Sequence, residues 1–165
     1  MSRAPRSRPA RLAGHGAGID DSGVQRKIAV IGRALKLHRA ALEDPFATIA
    51  ALGGFEIAAM AGVCLGGAAL NVPVVVDGFI ATAAAVAAER LCPGLFAHLF
   101  FGHRSSEGGH GIALEQLDVR PIMDLGMRLG EGTGAALAMS VIEAALALFH
   151  EMATFESAGV SEKIG

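Results

Sequence analysis

Val72-Pro73-Val74-Val75-Val76-Asp77-Gly78 is a short β-branched run closed by Asp-Gly, and its reading decides the fold. β-Branched residues suit a pleated strand, and Asp-Gly is a turn signal that ends one. The run is apolar without alternation, so the strand it predicts is covered on both faces, as in a parallel sheet flanked by helices. Pro73 stands where the strand begins, a position that tolerates a missing N–H.

Upstream, residues 57–76 carry no charge over twenty positions, which raises the question of a membrane span. The run is rich in Ala and Gly, contains Asn71 and Pro73 and is closed by Asp77. It therefore predicts a buried small-residue helix followed by a buried strand, and no membrane partner. Downstream, 79–91 predicts an Ala-rich helix broken by Pro93-Gly94, and 95–101 a second strand. The loop Gly102-His103-Arg104-Ser105-Ser106-Glu107-Gly108 then leads into a helix over 107–117. In open α/β sheets ligands sit in the loops at the carboxyl ends of strands. Asp77-Gly78, 103–108 and 130–134 are thus three candidate rim loops.

The third of these lies in Met-Arg-Leu-Gly-Glu-Gly-Thr-Gly-Ala-Ala-Leu (127–137), which passes from glycine-rich loop to apolar helix. Gly130, Gly132 and Gly134 let backbone approach a ligand, and the helix that follows aims unpaired N–H groups at the same place. Glu131 sits at that junction. Two readings fit it: a carboxylate doing proton chemistry beside a bound anion, or one that only complements the helix dipole. Between 133 and 149 Glu143 is the sole charged residue, which predicts a helix buried on nearly every side.

Near the start, Gly-His-Gly-Ala-Gly-Ile-Asp-Asp (14–21) reads as a loop closing onto a helix cap at Asp20 or Asp21. Val24, Ile28, Ile31 and Leu35 form the apolar stripe of a helix over 22–38, with Lys27 at its edge. Lys27 is either a solvated edge residue or a side chain reaching along the core edge to a phosphate. The alternating glycines do not follow a strand, so they fail the context test for a dinucleotide fingerprint. Asp44-Pro45 opens a further helix, with Pro45 at its first position, and Gly53-Gly54 ends it.

Composition limits the rest. The 165 residues suffice for one domain with a real core and are too few for two ordinary ones. The formal net charge is -2, but Arg3, Arg6, Arg8 and Arg11 place four positive charges in a start without acidic residues, leaving -6 elsewhere. Residues 1–13 read as a disordered basic tail without the apolar stretch of a secretory signal, and 14–165 as the folded part. Nucleic acid is not an expected partner of the acidic remainder. Cys64 and Cys92, 28 residues apart, read as buried free thiols in a reducing cytoplasm, with a disulfide left open. The six histidines show no i, i+4 pair, so neither a metal site nor a cofactor is expected.

Five ordered blocks together carry a resemblance: Gly-Gly-Phe-Glu-Ile-Ala-Ala-Met-Ala-Gly (53–62), Pro-Val-Val-Val-Asp-Gly-Phe-Ile (73–80), His-Arg-Ser-Ser-Glu (103–107), Leu-Gly-Glu-Gly-Thr-Gly-Ala-Ala-Leu-Ala-Met (129–139) and Glu-Met-Ala-Thr-Phe (151–155). They resemble the C-terminal half of the nicotinate-nucleotide:dimethylbenzimidazole phosphoribosyltransferases of cobalamin biosynthesis, from about Gly14 onward. The resemblance implies a Rossmann-like parallel sheet with helices on both faces, truncated relative to the family. It further implies a homodimer, or a partner supplying the N-terminal half. The reaction implied is transfer of phosphoribose from nicotinate mononucleotide to 5,6-dimethylbenzimidazole, giving nicotinate and α-ribazole 5'-phosphate. By the same resemblance Glu131 is the base, Lys27 and Ser105 help hold the nucleotide, and Gly132 and Gly134 line its pocket. A non-catalytic nucleotide-binding or dimerising remnant is the alternative, because the family's N-terminal half supplies much of the benzimidazole pocket.

Overall fold

The computed structural model describes residues 9–16 and 18–159. Part of the stretch expected to be a disordered tail is ordered: Pro9–Leu12 is a helical turn (α1) packed against the helix that follows the second strand. The remaining basic residues of that tail, 1–8, lie outside the described residues.

Helix α2 (Asp21–Leu37) begins where its cap predicts, with the Asp20 carboxylate accepting from Gly23 N–H at 2.8 Å. That bond, with help from the Ser22 hydroxyl, holds the Asp20 carboxyl below its ordinary range. The expected stripe of Val24, Ile28, Ile31 and Leu35 is half-buried. After a 3₁₀ segment, α3 (Pro45–Thr48) starts on Asp44, which accepts from Phe46 N–H at 3.0 Å. A π-type turn at Ile49–Gly53 follows, and Gly54, at φ 80° and ψ 165°, redirects the chain into α4 (Gly54–Ala69). The glycine pair thus ends one helix and starts the next without an intervening loop.

Strand β1 (Val74–Val76) pairs in parallel with β2 (Leu99–Phe101), matching Val74 to Leu99 and Val76 to Phe101. The expected second strand is shorter than its apolar run, because Gly94 at φ 97° starts a 3₁₀ turn over Leu95–His98. Between the strands runs α5 (Phe79–Leu91), and after them α6 (Gly108–Leu117) and α7 (Thr133–Glu151). The segment 122–127 continues the sheet irregularly along the far side of β2: Ile122 N–H donates to Phe101 O, Arg104 N–H to Met123 O and Ser106 N–H to Met127 O.

The core joins Ala61 and Cys64 of α4, Ala85 and Ala88 of α5, and Val76, Leu99 and Phe101 of the strands. Small side chains let α4 and α5 approach closely, and burial raises the Cys64 thiol above its ordinary range. At the end of α4, a Cβ on Gly67 would overlap the Val74 side chain, so glycine there seats the helix on β1.

Three further sequence expectations need correction. Helix α4 is not buried all round, since only Ala61 and Cys64 are fully covered. Helix α7 buries only Gly134 and Ala138, and its second half is exposed. Both are apolar enough to be cores, but within this chain only one face of each finds a neighbour. Cys92 is exposed, because it lies just past the end of α5, and both cysteines are free. Two helical stretches, Pro45–Ala69 and Thr133–Glu151, are long and apolar enough to cross a membrane by length and composition. The first changes direction at Gly54, so it is not one straight rod.

Candidate functional site

At the carboxyl ends of the two parallel strands, three loops converge. After β1 come Asp77 and Gly78. After β2 come Gly102, His103 and Ser105, and the start of α7 closes from the side. The Asp77 carboxylate accepts from Ala135 N–H at 2.9 Å, giving the α7 N-terminus the side-chain acceptor that its own N-cap, Gly132, cannot provide. Gly102 donates its N–H to Val76 O at 2.7 Å, and a Cβ there would press on Ala135 and Ala138 at 3.3 Å. The glycine is what brings the rim loop, β1 and α7 together.

His103 is buried at the centre of this junction, with Nε2 3.8 Å from the Asp77 carboxylate. Gly134 faces its ring so closely that a Cβ would overlap it, and a Cβ on Gly78 would come within 3.1 Å of Nε2. Behind the rim, His110 in the first turn of α6 is fully buried. Its Nε2 lies 3.0 Å from Thr82 Oγ1, and its Nδ1 lies 3.0 Å from both the N–H and the hydroxyl of Ser105. Burial pushes the His110 imidazole down to about 4, with His103 and Arg104 acting in the same direction.

Of the residues singled out in the sequence, Ser105 and Gly134 meet this junction, through His110 and His103. Glu131 lies at the exposed tip of the loop leading into α7, where Gly130, Glu131 and Gly132 have φ of 83°, 56° and 75°. Glycine accepts that geometry freely, whereas a glutamate held there marks a locally strained backbone. Thr133 ties the loop down, its hydroxyl donating to Gly130 O at 2.7 Å. Lys27 lines a separate hollow of about 550 Å³ with Leu12, Gly14, Ile31, Phe79 and Glu107, and donates from Nζ to Gly14 O at 2.8 Å. Phe79, which also lines the Lys27 hollow, stacks on His110 at 5.7 Å between ring centroids, so one aromatic pair adjoins both that hollow and the Ser105 junction.

The sequence reading placed Asp77 and His103 on rim loops without giving either a chemical role, and gave none to His110 or Thr82. His110 did leave a signal: a histidine between glycines, Gly109 and Gly111, in a helix start. The glycines serve packing, since a Cβ at Gly109 would meet Leu12 O and one at Gly111 would meet the Arg104 guanidinium. Among the described residues no cluster of His, Cys, Asp and Glu could hold a metal ion.

The architecture is shared with known proteins. The chain is 56% identical over 154 residues to the nicotinate-nucleotide–dimethylbenzimidazole phosphoribosyltransferase of Pelodictyon phaeoclathratiforme, covering 93% of this chain and 44% of that protein. It is 55% identical over 158 residues to the enzyme of the same name from Chloroflexus aurantiacus, covering 95% of this chain and 45% of the relative. The crystal structure of CobT from Thermus thermophilus superposes with a TM-score of 0.84 at 45% identity, over 93% of this chain and 46% of that one. The chain therefore spans a little under half the length of the relatives it matches. A family described as phosphoribosyltransferase, DBI_PRT, matches residues 1–160, including the start that the sequence blocks left outside the resemblance. With that match running almost end to end, and with 93% of the chain superposing on a solved relative, the chain belongs to the DBI_PRT phosphoribosyltransferase family.

Proposed function

We propose that the chain forms the part of a phosphoribosyltransferase that carries the proton-accepting glutamate and part of the nucleotide site. It acts on nicotinate mononucleotide and 5,6-dimethylbenzimidazole. What supports this reading most is the convergence at the strand ends, where Ser105 and the α7 start at Gly134 meet one junction held by Asp77, with the exposed Glu131 loop leading into that helix. The names of the relatives supply the substrates.

In the proposed reaction the unprotonated ring nitrogen of dimethylbenzimidazole donates its lone pair to ribose C1'. The C1'–N bond to nicotinate breaks, and its electron pair returns to the pyridine ring. The attacking base becomes cationic and sheds the proton of its other nitrogen to Glu131. A positioned base of this kind contributes about 10² to 10⁴ in rate. Ser105 and the glycines at 132 and 134 hold the nucleotide, with Lys27 as a point charge for phosphate. The product, α-ribazole 5'-phosphate, is a precursor of the cobalamin lower ligand, and the enzyme is accordingly read as cytoplasmic, with neither membrane nor nucleic acid as a partner.

Completion of the site is part of the proposal. Exposed apolar side chains run along α4 and α7, including Phe55, Val63, Leu148 and Phe149. Surfaces of that kind are covered in working proteins. A second copy of the chain, in a homodimer, or the remaining half of the enzyme would cover them. The same exposure favours the second reading, a nucleotide-binding or dimerising unit without turnover of its own. Incubating the chain with both substrates, alone and with the separately produced N-terminal half of a relative, distinguishes the two. Release of nicotinate in either mixture supports the transferase, and none in both supports the non-catalytic unit.

A further inference from the structure

The fully buried His110 has both ring nitrogens engaged, and the partners fix where its proton sits. A main-chain N–H can only donate, so Nδ1, 3.0 Å from Ser105 N, must be the bare acceptor. The proton of the neutral ring is then on Nε2, which donates to Thr82 Oγ1 at 3.0 Å. Ser105 Oγ, also 3.0 Å from Nδ1, shares that acceptor, so its O–H donates to the ring and its oxygen is left as an acceptor. One side chain thus ties the loop after β2 to α5, while its face carries Phe79 from the wall of the Lys27 hollow.

We infer that His110, neutral and protonated on Nε2, is a positioning residue that sets where Ser105 presents its hydroxyl to substrate. The inference rests on the reading that Ser105 holds the nucleotide. A proton added at Nδ1 would face the Ser105 N–H with a second donor, so the loop detaches when the ring is charged. The charged or titratable groups bearing on the ring are Asp77 beyond β1 and His103 and Arg104 on the rim loop, whereas α5 offers only Thr82 and Phe79. Burial, with the Arg104 guanidinium acting in the same direction against the one carboxylate, leaves the neutral ring favoured.

Two amide variants separate positioning from mere filling of space. In His110→Asn the side-chain oxygen falls near the Nδ1 position and keeps an acceptor for Ser105. In His110→Gln the amide reaches toward Thr82 and leaves Ser105 without one. In the full chain, long-range ¹H–¹⁵N spectra of the imidazole should show the Nε2-protonated tautomer at pH 7. The Ser105 amide should exchange slowly in the wild type and in His110→Asn, and quickly in His110→Gln. Nicotinate mononucleotide affinity by calorimetry should stay within about threefold in the Asn variant and fall about tenfold in the Gln variant, the scale of one lost hydrogen bond. An Nδ1-protonated tautomer, or equal losses in two folded variants, would overturn the inference. Wild-type chain that binds no nicotinate mononucleotide, alone or with the N-terminal half of a relative, would instead overturn the functional reading, and the tautomer and exchange results would still decide what positions Ser105.

Discussion

At the scale of single residues, Lys27 and His110 show how much a side chain's partners add to its type. Lys27 already gives one of its three donors to Gly14 O, so the other two remain for an incoming phosphate. Lys27→Ala is expected to weaken nicotinate mononucleotide roughly tenfold, as for a charge-assisted bond, and to leave nicotinate nearly unchanged. Calorimetry with both ligands checks this, and equal losses would remove Lys27 from the phosphate. His110 makes a prediction about stability. Its native pKa of about 4 lies below the ordinary 6.5, so the unfolded chain takes up the proton first as pH falls. The neutral ring therefore adds stability that is complete above about pH 6.5 and is lost on acidification through about pH 4, on the order of 3 kcal/mol in all. Urea unfolding of wild type and His110→Asn at pH 7 and pH 4.5 should show the steeper acid loss in the wild type. Equal losses would mean that another group governs acid stability. His103 was legible only as part of a rim loop and His110 only as a histidine between glycines, because both gain their roles from Asp77, Thr82 and Gly134, all remote along the chain.

Among the elements, what the sequence states locally is what it states well. Asp20 caps α2, and Asp44 with Pro45 opens α3, because capping is settled within three residues. The parallel pair was likewise readable from the unbroken Val74-Val75-Val76 run. The length of β2 was not, since Leu95 to Ala97 are as apolar as a strand and only the left-handed Gly94 starts the turn. The burial of α4 and α7 was misread for a different reason. An apolar helix records that something covers it, not that the cover lies within the same 165 residues. At the start of α7, Gly134 is required by the His103 ring rather than by helix formation. Gly134→Ala should therefore cost roughly 1–3 kcal/mol in denaturant unfolding, the range for forcing a methyl into a packed site, although alanine is the better helix former. A neutral or stabilising result would mean that the rim and α7 separate freely.

For the whole molecule, a two-stranded parallel pair with apolar helix faces turned outward is half of an interior. Phe55 at 92% exposure and Phe149 at 82% are too open for a chain that works as a lone monomer. The protein is expected to be oligomeric or poorly soluble by itself, and light scattering that finds a stable, monodisperse monomer would contradict this. The family was legible at this scale because five separated blocks kept their order, while the completeness of the site was not, since what covers the apolar faces of α4 and α7 lies outside these residues. The central claim is that Glu131, on its left-handed loop before α7, takes the proton from the attacking base. A single-turnover assay of Glu131→Gln, in whichever assembly releases nicotinate and beside a nucleotide-binding titration, tests it most directly. Gln accepts a hydrogen bond but takes no proton, so binding should persist while nicotinate release falls about 10²-fold or more. Wild-type release by the Gln variant would contradict the account.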